Sequence, residues 1–150
     1  MTSGKYCYEY PRLAVTADVV ALAGVQKENL KILLIRRKYS PFKDMWALPG
    51  GFVDMDEELE DAALRELKEE TGVSDVSLKQ IGAFGKPDRD PRHRTVTIAY
   101  LACMTSPVSV QGNDDAQDAS WFDVYNLPSL AFDHGMIIER GMQMWTNPEL

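Results

Sequence analysis

Cysteine and histidine are scarce in this sequence, with two of each in 150 residues. Cys7 and Cys103 offer neither a disulfide framework nor a closely spaced metal-ligand pair. They read as small apolar fillers or partly exposed thiols of a reducing compartment. Long hydrophobic runs are also missing. None approaches the roughly 18 residues expected of a membrane span. The opening stretch MTSGKYCYEYPRL lacks the basic segment and apolar run of a signal peptide, so the expected location is cytoplasmic. Basic charge is short as well, with 16 Lys and Arg against 23 Asp and Glu, for a net charge of −7. That balance disfavours a nucleic-acid partner, whose binding draws affinity from Lys and Arg placed on phosphates. It would also repel a small anionic substrate unless cations intervene, so an anionic substrate implies bound metal.

What remains is the composition of a soluble globular protein, 45% hydrophobic and 26% charged. The length fits a single domain over 1–150, large enough to bury roughly 70% of its unfolded surface. There is no repeat, low-complexity tract or linker. Ala14 to Ala23 and Lys31 to Arg37 are predicted strands, rich in β-branched and apolar residues. Trp46 to Val53 carries Pro-Gly-Gly in an apolar run and predicts a short, sharply bent strand. A helix is predicted over Asp54 to Thr71, with Asp54 as cap, Glu57 in capping-box relation and Gly72 as a left-handed stop. Strands follow at Val76 to Phe84, Thr95 to Met104 and Trp121 to Val124, then a helix over Asp133 to Trp145. The order predicts a mixed α/β fold with helices covering a sheet.

The first helix carries the chemistry. At about 100° per residue, Leu59, Ala63 and Leu67 share one face, with Asp61, Arg65 and Lys68 roughly opposite. Glu66, Glu69 and Glu70 fall instead at the edge of the apolar face, close enough to point at one spot. Like charges at this spacing repel, and they stand at the helix end where the dipole disfavours negative charge. A divalent cation would compensate both, and Mg²⁺ suits carboxylate oxygens shared with substrate phosphates. Acidic runs on helices are more often solvated faces, so the spacing alone leaves both readings open.

The stretch Gly51 to Val73, GFVDMDEELEDAALRELKEETGV, resembles the Nudix box at every defined position: Gly51, Glu57, Arg65, Glu66, Leu67, Glu69, Glu70, Gly72 and Val73. A match over so many fixed spacings is highly specific. The resemblance implies the Nudix fold, a mixed sheet between helices. It also implies that Glu66, Glu69 and Glu70, with the Gly50 carbonyl, hold Mg²⁺ (or Mn²⁺), that Arg65 pairs with Glu57 to orient Glu66, and that Gly51 permits the bend into the helix. The implied reaction is attack of water on one phosphorus of a diphosphate. Arg36, Trp46 and Leu48-Pro49-Gly50 are similar to the segment that leads into such boxes, which puts Arg36 and Trp46 among the expected substrate-binding residues, and Trp121-Phe122 is similar to a following strand.

Beyond the box, a loop acid is expected to assist. Asp115 is preferred among Asp114, Asp115 and Asp118 of QGNDDAQDASWF, although Asn113-Asp114 is also ordinary turn chemistry. Asp88 and Asp90 are rivals. In GKPDRDPR, Arg89 or Arg92 is expected to hold a terminal phosphate or pyrophosphate through its planar fork. His134 is expected only to complete a turn, and His93 has no assigned role. FGKPDRDPR, YEYPRLAVTADVV and LAFDHGMII resemble bacterial ADP-ribose pyrophosphatase-like Nudix proteins, which implies ADP-ribose as substrate and AMP as product. The same signatures resemble Nudix-related repressors of NAD metabolism, and the box itself suits a nucleoside triphosphate pyrophosphohydrolase equally well. The intact box, the chain length and the acidic charge lead to an expectation of an enzyme. The resemblance further implies a homodimer.

Overall fold

The computed structural model describes residues 5–111 and 116–150, with side chains at 116 and 117 left aside. Among the described residues, seven strands build one mixed sheet and two α-helices cover it, with a short 3-10 turn at Lys27–Asn29. The strands are β1 (Ala14–Ala23), β2 (Lys31–Arg37), β3 (Trp46–Ala47), β4 (Gly50–Phe52), β5 (Lys79–Phe84), β6 (Thr95–Met104) and β7 (Ala116–Asp123). The helices are α1 (Leu59–Thr71) and α2 (His134–Met144).

β1 runs parallel to β6 along its whole length, and β5 pairs antiparallel with β6. The other edge of β1 is divided: β2 pairs only with Leu22 and Ala23, while β4 pairs with Thr16, Ala17 and Asp18. β1 and β2 therefore splay apart, and Trp46 to Phe52 fills the opening. β2 also pairs with β3 and, along its outer edge, with β7.

The alternation of β1 sorts its side chains between two layers. Val20 and Leu22 pack with Leu34, Leu48, Ile137 and Ile138 on the α2 side. Ala17, Val19 and Ala21 pack with Ala62, Ala63 and Leu67 on the α1 side. The alanines on both partners let α1 lie close to the sheet. The sheet is thus sandwiched between helices, as the sequence predicts.

Several boundaries differ from the sequence reading, and β5 begins at Lys79 rather than Val76. α1 begins at Leu59 with Glu58 as its N-cap, so Asp54 does not cap the helix. Glu57 does reach back to the Asp54 amide (2.8 Å), but it closes a turn ahead of the helix. Leu59 is consequently exposed, outside the core assigned to it. The predicted bent strand is divided into β3 and β4, because Pro49 has no amide to donate between them. β7 starts earlier than expected, at Ala116, along the outer edge of β2.

Candidate active site

The splayed strands leave a cleft of about 420 Å³. Its floor includes Thr16 and Asp18 of β1, and Ile35 and Arg37 of β2 contribute a wall. At one end stand Glu66, Glu70 and Arg65 of α1, and at the other Arg89, Asp90, Arg92, Phe132 and His134.

At the α1 end, Arg65 is a hub. Its Nε and Nη2 donate to the two carboxylate oxygens of Glu57, at 3.0 and 2.7 Å. Nη2 also donates to the Phe52 carbonyl (3.1 Å), and Nη1 to Glu66 (2.9 Å) and Glu69 (3.2 Å). The Arg65 hydrogen bonds, with that from the Asp54 amide, hold the Glu57 pKa down to about 2. The same bonds to Glu57 raise the Arg65 pKa above its ordinary value. The helical wheel alone put Arg65 in the solvent group. The fold corrects this, because the turn ahead of α1 brings Glu57 and the Phe52 carbonyl against it.

The strap Leu48 to Gly50 crosses this end. Glu70 accepts the Gly50 amide at 2.7 Å and is buried, while the Pro49 carbonyl accepts the Val19 amide at 2.9 Å. A Cβ at Gly50 would run into the Asp18 carboxylate and the Ala17 carbonyl, and one at Gly51 would meet the Glu66 carboxylate at 2.6 Å. Gly51 therefore serves close approach of Glu66 to the backbone rather than a bend that only glycine can make.

Among the described residues, no three acidic, His or Cys side chains converge on one point. Glu66 and Glu69 turn towards Arg65, and Glu70 turns towards the strap. The donor set on this helix face is nevertheless all oxygen and fits a hard divalent cation, which takes carboxylates and carbonyls together.

The α2 end is built differently. Arg89 is buried and makes a two-pronged pair with Asp133, at 2.9 and 2.7 Å. Arg92 makes a similar pair with Asp90, at 3.1 and 2.8 Å. Its guanidinium also lies 5.5 Å from the Phe52 ring and 5.6 Å from that of Phe132. Burial pushes the Asp90 carboxyl up, but hydrogen bonds from the Arg92 guanidinium and amide outweigh it and leave its pKa below the ordinary value. Phe132 has φ of 52°, an unusual left-handed backbone for a bulky residue, and Arg37 stacks on its ring at 4.9 Å.

The cleft thus gathers Gly50, Arg65, Glu66, Glu70, Arg89 and Arg92 from the expected residues, with Glu57 and Glu69 attached through Arg65. Arg36 and Trp46 do not line it. They form a cross-strand pair facing away from Ile35 and Ala47, with Trp46 packed edge-on against Phe122 and Arg36 3.6 Å from Asp118. Asp115 and Asp114 lie outside the described residues. Asp118 reaches Arg36, Asp88 is exposed away from the lining, and Asp90 is taken up by Arg92. Sequence reasoning missed Asp18, Arg37, Phe52 and Phe132. The one available signal was Asp18, a lone charge in the apolar strand TADVVALA.

Comparison with known proteins gives four findings. The NUDIX domain family model matches residues 12–140. ADP-ribose pyrophosphatase of Methanocaldococcus jannaschii is 44% identical over 128 residues, 85% of this chain and 75% of that protein. The NUDIX domain of Shewanella oneidensis NrtR, solved with ADP-ribose, superimposes with TM-score 0.82 at 34% identity, covering 90% of each chain. A bifunctional NMN adenylyltransferase/ADP-ribose pyrophosphatase of Francisella tularensis, solved with AMP and a Mn ion, gives TM-score 0.77 at 30% identity. In that case the alignment covers 91% of this chain but 43% of the other.

Proposed function

Since the chain belongs to the NUDIX family, we propose that it is a divalent-metal-dependent pyrophosphohydrolase that converts ADP-ribose and water to AMP and ribose 5-phosphate. The observation that carries this reading is the Arg65 hub, which sets Glu66 against Gly51 and leaves Glu66, Glu69 and Glu70 on one face beside the strap. The substrate follows from similarity to the archaeal pyrophosphatase, supported by the ADP-ribose complex of the NrtR domain.

In the proposed site Glu66, Glu69, Glu70 and the Gly50 carbonyl hold Mg²⁺, with Mn²⁺ as the alternative. Bound there, the cation would offset the charge of the diphosphate and of its hydrolysis. Arg65 and Glu57 fix the pitch of the carboxylates. Glu70 holds the Gly50 amide and with it the direction of the strap. Arg92, more exposed than Arg89 and within cation–π reach of the Phe52 and Phe132 rings, is the cation that meets the outer part of the substrate. Arg89 is assigned instead to holding the β5–β6 loop on α2, because it is buried against Asp133, whereas Arg92 keeps part of its guanidinium exposed beside its pair with Asp90. A single domain, a homodimer and a cytoplasmic location belong to the same proposal. Among the described residues no helix is long and apolar enough to cross a membrane.

The test is product release from a panel of ADP-ribose, NADH, a sugar nucleotide, diadenosine polyphosphates and nucleoside triphosphates, with and without Mg²⁺. Cation-dependent formation of AMP from ADP-ribose is expected. Preference for a triphosphate would keep the reaction and overturn the substrate. The kinship with NrtR favours a second reading, an ADP-ribose sensor, and ADP-ribose bound without turnover would select it.

A further inference from the structure

His134 opens α2 and is buried at the cleft, yet the hydrolytic reading gives it no task. Its Nδ1 accepts the Leu48 amide at 3.0 Å, a bond that spans 86 residues of sequence. Accepting there fixes the tautomer: the ring proton sits on Nε2, which lies 3.9 Å from Asp18 Oδ2. Asp18 is itself buried, and the same oxygen accepts the Thr97 hydroxyl at 2.6 Å. Asp18 also abuts Gly50, where any Cβ would collide with its carboxylate.

The strap is therefore gripped along its length from three elements. His134 holds Leu48 from α2, the Val19 amide of β1 holds the Pro49 carbonyl, and Glu70 of α1 holds the Gly50 amide. These bonds hold the 47–48 and 49–50 peptide planes, so the Gly50 carbonyl stands one backbone rotation beyond a fixed plane. The residue before His134 adds a further link, since Asp133 pins Arg89 of the β5–β6 loop. The first turn of α2 thus ties the loop carrying Arg92 to the strap that borders the carboxylates.

We propose that His134 is a positioning residue for hydrolysis. Through the Leu48 amide, and backed by Asp18 and Thr97, it aims the Leu48–Gly50 strap so that the Gly50 carbonyl joins the α1 carboxylates around the cation. This rests on the reading of the site as a cation-dependent hydrolase. Partners that orient the ligands of a metal typically contribute about ten- to a hundredfold to metal affinity or activity.

Two substitutions separate the acceptor from the bulk of the ring. His134→Phe keeps a flat ring but removes the acceptor, and His134→Asn places an amide oxygen near the Nδ1 position. Each variant is titrated with Mn²⁺ by water-proton relaxation, followed by exchange of the Leu48 amide hydrogen, then assayed for kcat and KM. His134→Phe should weaken Mn²⁺ binding about tenfold, speed Leu48 exchange and lower kcat with KM for ADP-ribose nearly unchanged. His134→Asn should recover most of each loss. Wild-type Mn²⁺ affinity and Leu48 exchange in His134→Phe would overturn the proposal, as would equal damage in both variants, which would mark packing as the cause. Should His134→Phe fail to fold, His134→Gln, whose amide lies near Nε2 instead, takes its place with the same expectations. Mn²⁺ binding and exchange need no turnover. Wild-type protein that binds Mn²⁺ but leaves ADP-ribose intact would overturn the substrate and leave His134 to be judged on those two readouts.

Discussion

At the α1 end of the cleft, Arg65 takes its carboxylates from one, four and eight residues away. At the α2 end, Arg89 takes its carboxylate from 44 residues away. The first set is a property of one helix and the turn before it. The second exists only because the β5–β6 loop and the start of α2 meet over the sheet. The difference decides which charges are available to a substrate. Glu57, Glu66 and Glu69 share Arg65, which orients them and leaves Glu70 to the strap, whereas Arg89 is buried against Asp133. An arginine count in a loop therefore overstates the anion-binding capacity of the α2 end.

The comparison breaks first at Glu70. Glu70→Gln keeps an oxygen that can accept the Gly50 amide but removes the charge, so turnover should fall by at least about a hundredfold with the melting temperature little changed. Steady-state rates beside a thermal melt will check this, and near-normal turnover would mean that the α1 end is not the reactive one. Arg89→Ala should act on the fold instead. It strands Asp133, which keeps some contact with water, and should lower stability by about 2 kcal/mol in urea unfolding. A raised KM with unchanged stability would restore Arg89 to the substrate.

Arg92→Ala sharpens the contrast within one loop. It should raise KM for ADP-ribose about tenfold and leave the cation requirement unaltered, besides lowering stability by stranding the buried Asp90. Arg92→Lys should recover little, because a point charge cannot reproduce the two-pronged pair with Asp90 that positions the guanidinium.

The smallest effect is on acid stability, and the two ends should separate by pH. Burial lowers the His134 pKa below its ordinary 6.5, so the unfolded chain binds that proton more readily and stability declines as pH falls below about 6.5. Glu57 is lowered from 4.5 to about 2, so its contribution is intact above about 4.5 and is lost as pH falls towards 2. Melting temperatures across pH 3–8 should show both windows in the wild type. His134→Asn should remove only the upper one.

Legibility followed sequence distance. Glu57, Arg65 and the three glutamates lie within one continuous stretch, so spacing and helical period sufficed to gather them. Arg36 and Trp46 lie off the cleft lining for the opposite reason. A strand shows alternate residues to opposite faces, and which parity faces the cleft depends on where β1 and β2 diverge. His134 looked like an ordinary turn residue because its partner, the Leu48 amide, has no side-chain signature at all.

By itself the sequence determined the element order, the mixed fold, the carboxylate helix and its left-handed stop at Gly72, because each depends on local period, local backbone preference or short spacing. Only the tertiary structure decided that Arg89 is spoken for, that Asp18 and His134 lie under the strap, and that Gly50 and Gly51 are required for close approach. Those outcomes depend on which distant groups are pressed together as water is excluded. A buried charge or amide must find a partner there, and the chain's order does not say which one.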